Sequence, residues 1–242
     1  MSSTAHALIV CADAHGVARE AAEQLRGVAE AAIAERGAFY LAIPGGSSPK
    51  VLFELLTQPG YRGLPWENTH IFFTDERCVG PQHPDSNYRL ASELLISRVA
   101  IPGGNVHRFH AELPPDEAAK MYESEMRRVM GNAPRLDLAI LGMGDDTHTA
   151  SLFPHSPALD ERVRLATADW VEKLDTYRLT LTIPMLNGSR NVIVLATGSG
   201  KAAALAEALN GEVDVAAHPI QAIKPGDGRL VWIVDREAAS LL

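Results

Sequence analysis

Cysteine is scarce. Cys11 and Cys78 are the only two in 242 residues, and they are not spaced as CxxC, which argues against a disulfide framework and for a reducing compartment. No apolar run reaches 18 residues, and the opening MSSTAHALIVCADAH has neither a basic segment nor a long apolar one. A membrane span and secretion are therefore not expected, and the cytoplasm is the expected location. An excess of cations is missing too. The 22 Lys and Arg stand against 30 Asp and Glu, a formal net charge of -8, which argues against a nucleic-acid-binding surface. Nor is there an HxxxH pair, a repeat or a low-complexity tract, so no metal-ligand spacing is evident.

What is present is ordinary for a globular enzyme. Hydrophobic residues make up 46% and charged residues 21% of the chain, enough apolar surface for one substantial core, and a single domain over 1–242 is expected. Short apolar runs at Leu8–Ala12, Phe39–Ile43, Thr69–Thr74, Val106–Phe109, Leu136–Leu141, Val163–Thr167, Arg178–Thr182, Asn191–Ala196 and Leu230–Val234 predict strands. Helical patterns alternate with them: Gly16–Arg36 ended by Gly37, the segment after Asp85, Ser86 and Asn87, Pro114–Met130, an alanine-rich stretch after Lys201, and a short terminal helix over Arg236–Leu242. Such alternation predicts an α/β fold, a doubly wound, mostly parallel Rossmann-like sheet with helices on both faces.

The stretch LDLAILGMGDDTHTASLFP, Leu136–Pro154, holds the densest chemistry. A buried-type strand breaks into Gly142 and Gly144, placing Asp145, Asp146, His148, Thr149 and Ser151 over the carboxyl end of the sheet, where open α/β folds bind ligands. Histidine titrates near neutrality, so His148 is the candidate general base, with Asp146 beside it to orient the ring. Taken alone, a loop histidine is more often merely solvated.

Anion binding has its own candidates. Pro44, Gly45, Gly46, Ser47, Ser48 and Pro49 join a strand to a helical VLFELL, a turn whose free N–H groups and hydroxyls suit a phosphate, although a plain tight turn reads the same way. Thr197–Lys201 tempts a P-loop reading, but GxxxxGK[ST] needs glycine at 195 and Ser or Thr at 202, where Leu195 and Ala202 stand. Lys201 at a helix start is still well placed for a phosphate. Asp75, Glu76 and Arg77 follow the third strand, as either a solvated loop or part of the site.

Taken together, PGGSSP (44–49), TDERCV (74–79), DSNYRLA (85–91), LGMGDDTHTASLFP (141–154), RLTLTIPMLN (178–187) and GSGKAAAL (198–205) make the chain resemble the 6-phosphogluconolactonases of monomeric α/β type. These belong to the superfamily that also holds glucosamine-6-phosphate deaminase. The resemblance covers nearly the whole chain. It implies hydrolysis of 6-phospho-D-glucono-1,5-lactone to 6-phospho-D-gluconate in the oxidative pentose phosphate pathway, by a monomer needing no metal and no cofactor. Its implied site is His148 as base with Asp146, and Gly45, Gly46, Ser47, Ser48, Arg77, Arg178 and Lys201 about the sugar phosphate. Two positions depart from the family pattern: Thr147 stands where its DGH motif has glycine, and Gln221 where a smaller polar residue is expected. The alternatives are a glucosamine-6-phosphate deaminase or isomerase and a non-catalytic sugar-phosphate sensor. Against the first, ASLFP at 150–154 lacks the carboxylate of the deaminases' FNEP-like segment; against the second, no helix-turn-helix segment is evident.

Overall fold

The computed structural model of the protein describes residues 6–46, 48–61 and 63–242. In chain order the elements are β1 (His6–Cys11), α1 (Ala14–Arg36), β2 (Phe39–Ile43), α2 (Ser48–Leu56), β3 (Thr69–Phe73), β4 (Asp75–Arg77), α3 (Asn87–Leu94), β5 (Val106–His107), α4 (Pro115–Met130), β6 (Leu138–Gly142), β7 (Ala166–Val171), β8 (Thr176–Leu181), α5 (Ile183–Asn187), β9 (Asn191–Ala196), α6 (Ala202–Asn210) and β10 (Arg229–Asp235). Seven strands form one parallel sheet in the order β1-β10-β9-β6-β2-β3-β5. The apolar runs decide this: β2, β3, β6 and β9 are buried almost throughout, as strands covered on both faces must be. The longest helix is set by its ends. The Asp13 side chain caps α1 by accepting from Gly16 N–H, and Gly37, at φ 76°, closes it with its N–H on Ile33 O.

The winding of this sheet creates the ligand crevice. From β2 the chain steps outward through β3 to β5, and from β6 it steps the other way through β9 to β10. Strands β2 and β6 are neighbours, so the connections leaving their carboxyl ends diverge and open a gap between them.

The sequence pattern does not anticipate a second sheet. Strands β4, β8 and β7 form a three-stranded antiparallel layer that hangs from the end of β3 through Leu181 N–H on Thr74 O and packs against α4. Asp75 to Arg77, taken as a strand-end loop, are one of its strands. Three expected boundaries also move. The strand expected at Val163–Thr167 forms over Ala166–Val171, because Glu161 Oε1 accepts from the N–H groups of Val163 and Arg164 and turns that segment. The expected terminal helix over Arg236–Leu242 is a series of turns: the Asp235 carboxylate accepts from Ala238 and Gly198 N–H groups, and too few residues follow to propagate a helix. The strand expected at Val106–Phe109 keeps only Val106 and His107. Among the described residues no helix is long and apolar enough to cross a membrane.

Candidate active site

A cleft of about 170 Å³ lies over the β2–β6 crevice and is lined by Pro44, Gly45, Gly46, Ser48 and Pro49, by Asp75, Arg77 and Asn87, and by the 142–150 loop and Lys201. The strands deliver these groups in a simple way. Gly45, Gly46 and Ser48 follow β2, Asp75 and Arg77 lie just beyond β3, Gly142 to Ala150 follow β6, and Lys201 follows β9. The cleft thus gathers Gly45, Gly46, Ser48, Arg77, His148 and Lys201 from among the sequence candidates. Ser47 lies outside the described residues. Asp146 stands behind His148 rather than on the cleft wall. Arg178 is also off the wall, directly opposite Arg77 in the β4–β8 pairing.

His148 is held firmly. Its Nδ1 lies 2.5 Å from Asp146 Oδ1, which also accepts from the His148 backbone N–H at 3.2 Å. A carboxylate partner on Nδ1 favours the tautomer with the proton there and leaves Nε2 with a lone pair. Burial works against ionised Asp146, but the hydrogen bonds from His148 and Lys173 outweigh it and hold its carboxyl far below the usual range. The Phe153 ring stacks on the imidazole at 4.5 Å. Only glycine fits at 144, since a Cβ there would fall 2.1 Å from His148 Nδ1.

The residue between Asp146 and His148 is strained. Thr147 has φ 64°, left-handed backbone that a β-branched residue rarely adopts. Its surroundings hold it there: Thr147 Oγ1 donates to Asp146 O at 2.6 Å, and Thr147 O accepts from Ile220 N–H at 3.1 Å. Gln221, the other departure, is structural. Its side chain accepts from Asp214 N–H and donates to Glu207 O and Glu212 O, fastening the segment that anchors Thr147.

Of the three charges at 75–77, each has a separate task. Glu76, 3% exposed, accepts from the N–H groups of Arg77, Asn87 and Tyr88 and from Ser86 Oγ, and so caps α3. Burial nevertheless pushes its carboxyl pKa upward. Asp75 accepts from Ser151 Oγ at 2.8 Å, tying the base loop to β4. Arg77 faces the cleft, and across from it Arg178 is pushed toward a lower pKa by burial first and by Arg77 second. Two adjacent guanidiniums are unfavourable until an anion joins them. Among the described residues no group of three or more His, Cys, Asp or Glu is placed to hold a metal ion.

Asn87 and Lys173 escaped the sequence reading. Asn87 opens α3, and its amide donates to Asp75 O and packs on Gly45, where a Cβ would clash at 1.7 Å. Lys173 sits in a turn that no motif marks.

The family model for glucosamine-6-phosphate isomerases and 6-phosphogluconolactonase matches residues 12–232. The chain belongs to this family. The 6-phosphogluconolactonase of Synechocystis sp. is 43% identical over 216 residues, 87% of this chain and 88% of that protein, and the Nostoc sp. 6-phosphogluconolactonase is 39% identical over 218 residues, 88% of each. Among solved structures, 6-phosphogluconolactonase from Thermotoga maritima superposes with a TM-score of 0.83 at 31% identity, covering 96% of this chain and all 100% of that one. A monomeric glucosamine-6-phosphate deaminase, 18% identical at a TM-score of 0.83, shares the fold.

Proposed function

We propose that this chain hydrolyses 6-phospho-D-glucono-1,5-lactone to 6-phospho-D-gluconate, the lactonase step of the oxidative pentose phosphate pathway. The observation that carries the reading is the meeting, in one cleft, of an acid-supported histidine with a glycine turn and two cations from other strand ends. The family and its 6-phosphogluconolactonase members support it.

In this reading the phosphate sits at the Gly45–Gly46–Ser48 end of the cleft. There the start of α2 and the side chains of Arg77 and Lys201 offer charge-assisted hydrogen bonds, with Arg178 adding charge from beside Arg77. The lactone carbonyl then lies near His148. Nε2 accepts a proton from water as the water oxygen bonds to the acyl carbon, and the Asp146 carboxylate stabilises the imidazolium. Donors of the glycine-rich rim receive the oxyanion. When the ring C–O bond breaks, the same proton goes to the departing ring oxygen, leaving the acid and a hydroxyl. No step calls on a metal or cofactor. We take the protein to act as a cytoplasmic monomer on a small molecule, without nucleic acid, which its net charge of -8 suits.

The test compares phosphorylated with plain glucono-lactone. Arg77→Ala and Lys201→Ala should each lower kcat/KM on the phosphorylated lactone by about 10- to 150-fold, as charged hydrogen bonds of this kind require. The loss on the unphosphorylated lactone should be much smaller. Equal losses on both substrates would contradict the phosphate assignment.

A further inference from the structure

A closed clamp surrounds the base, and one arm comes from the second sheet. Lys173, in the turn between β7 and β8, pairs through Nζ with Asp146 Oδ2, the oxygen that His148 does not use. The same ammonium lies 4.7 Å over the Phe153 ring, and that ring stacks on His148. Lys173 is absent from the cleft wall, so it meets the base only through Asp146 and Phe153.

We infer that Lys173 is a positioning residue for the reaction: by holding Asp146 Oδ2 it stops the carboxylate from rotating, keeps Oδ1 on His148 Nδ1, and so fixes the ring with Nε2 toward the cleft. A carboxylate held by one partner can swivel about its χ2, a broad and nearly two-fold torsion; held by two it cannot. The arrangement follows the logic of outer partners that orient a working histidine, whose loss typically costs about 10- to 100-fold where it has been measured at metal sites. It also gives the antiparallel sheet a task, since the β7–β8 hairpin carries the lysine 27 residues along the chain to the base loop. This role rests on the lactonase reading for its kinetic arm only, because the geometry of the dyad can be read without substrate.

The test has two arms. In kinetics, Lys173→Met should lower kcat about 10-fold with KM nearly unchanged, and Lys173→Arg, which keeps a donor cation, should recover most of the loss. In the ligand-free protein, imidazole 1H–15N spectra should show His148 as the Nδ1–H tautomer in wild type and Lys173→Arg, and a mixture of tautomers in Lys173→Met. A wild-type His148 spectrum in Lys173→Met overturns the positioning role, whatever happens to kcat. A changed spectrum in Lys173→Met, together with a wild-type protein that does not turn over the lactone, supports the positioning role and counts against the lactonase reading instead.

Discussion

Thr147 holds backbone strain between His148, the proposed base, and Asp146, its partner. A non-glycine residue in the left-handed region costs about 1–2 kcal/mol, and here it lies between Asp146 and His148. Removing the side chain would relieve that strain, but it would also remove the Oγ1 hydrogen bond to Asp146 O and loosen the unfolded chain, terms of about 1 kcal/mol each. The two sides nearly cancel. Thr147→Gly should therefore stay within about 1 kcal/mol of wild type in denaturant unfolding, whereas Thr147→Val, which keeps the strain and loses the hydroxyl, should cost about 1–2 kcal/mol. Stabilisation by Thr147→Gly well beyond 1 kcal/mol would mean that the hydroxyl contributes nothing.

At the scale of elements, the parallel sheet was legible because its strands are continuous apolar runs, and NVIVLA and LAILG lie in it much as the sequence suggests. The three-stranded sheet was not. Strand β4 is the charged triplet Asp75–Arg77, and β7 carries Asp169 and Trp170; these residues are strands through pairing with β8, a tertiary cause that local propensity does not record. The site divides along the same line. Groups brought by the strand ends, such as His148, Arg77, Lys201 and the 44–49 turn, could be read from glycines and charges following apolar runs. Lys173 could not, because its partner Asp146 lies 27 residues away, in the loop that follows β6. Arg178 was read as facing the phosphate, and its place beside Arg77 depends on the antiparallel register, which the sequence does not reveal.

The molecule as a whole carries a second histidine system, at the edge of the sheet far along from β1. His70 and His107 face each other at 3.0 Å between Nδ1 and Nε2, and His107 Nδ1 meets Glu125 at 2.8 Å. Burial pushes both histidines below their usual range, in His107 outweighing the pull of Glu125. The unfolded chain therefore binds protons more readily than the native one as pH falls below about 6.5, and stability must fall with it. Chemical unfolding at pH 7.5 and 5.5 should show wild type less stable at the lower pH, and His70→Gln should show a smaller drop. A wild-type stability that is flat or rises on acidification would contradict this.

The proposed hydrolysis by the whole molecule rests on His148. The direct measurement is the rate of hydrolysis of freshly generated 6-phosphogluconolactone by wild type and by His148→Ala, with spontaneous hydrolysis subtracted and ammonia release from glucosamine 6-phosphate followed in parallel. Wild type should turn over the lactone, His148→Ala should lose about 10²–10⁴-fold while still folded, and ammonia release should not be comparable. Near wild-type turnover by the folded variant, or ammonia release faster than lactone hydrolysis, would contradict it.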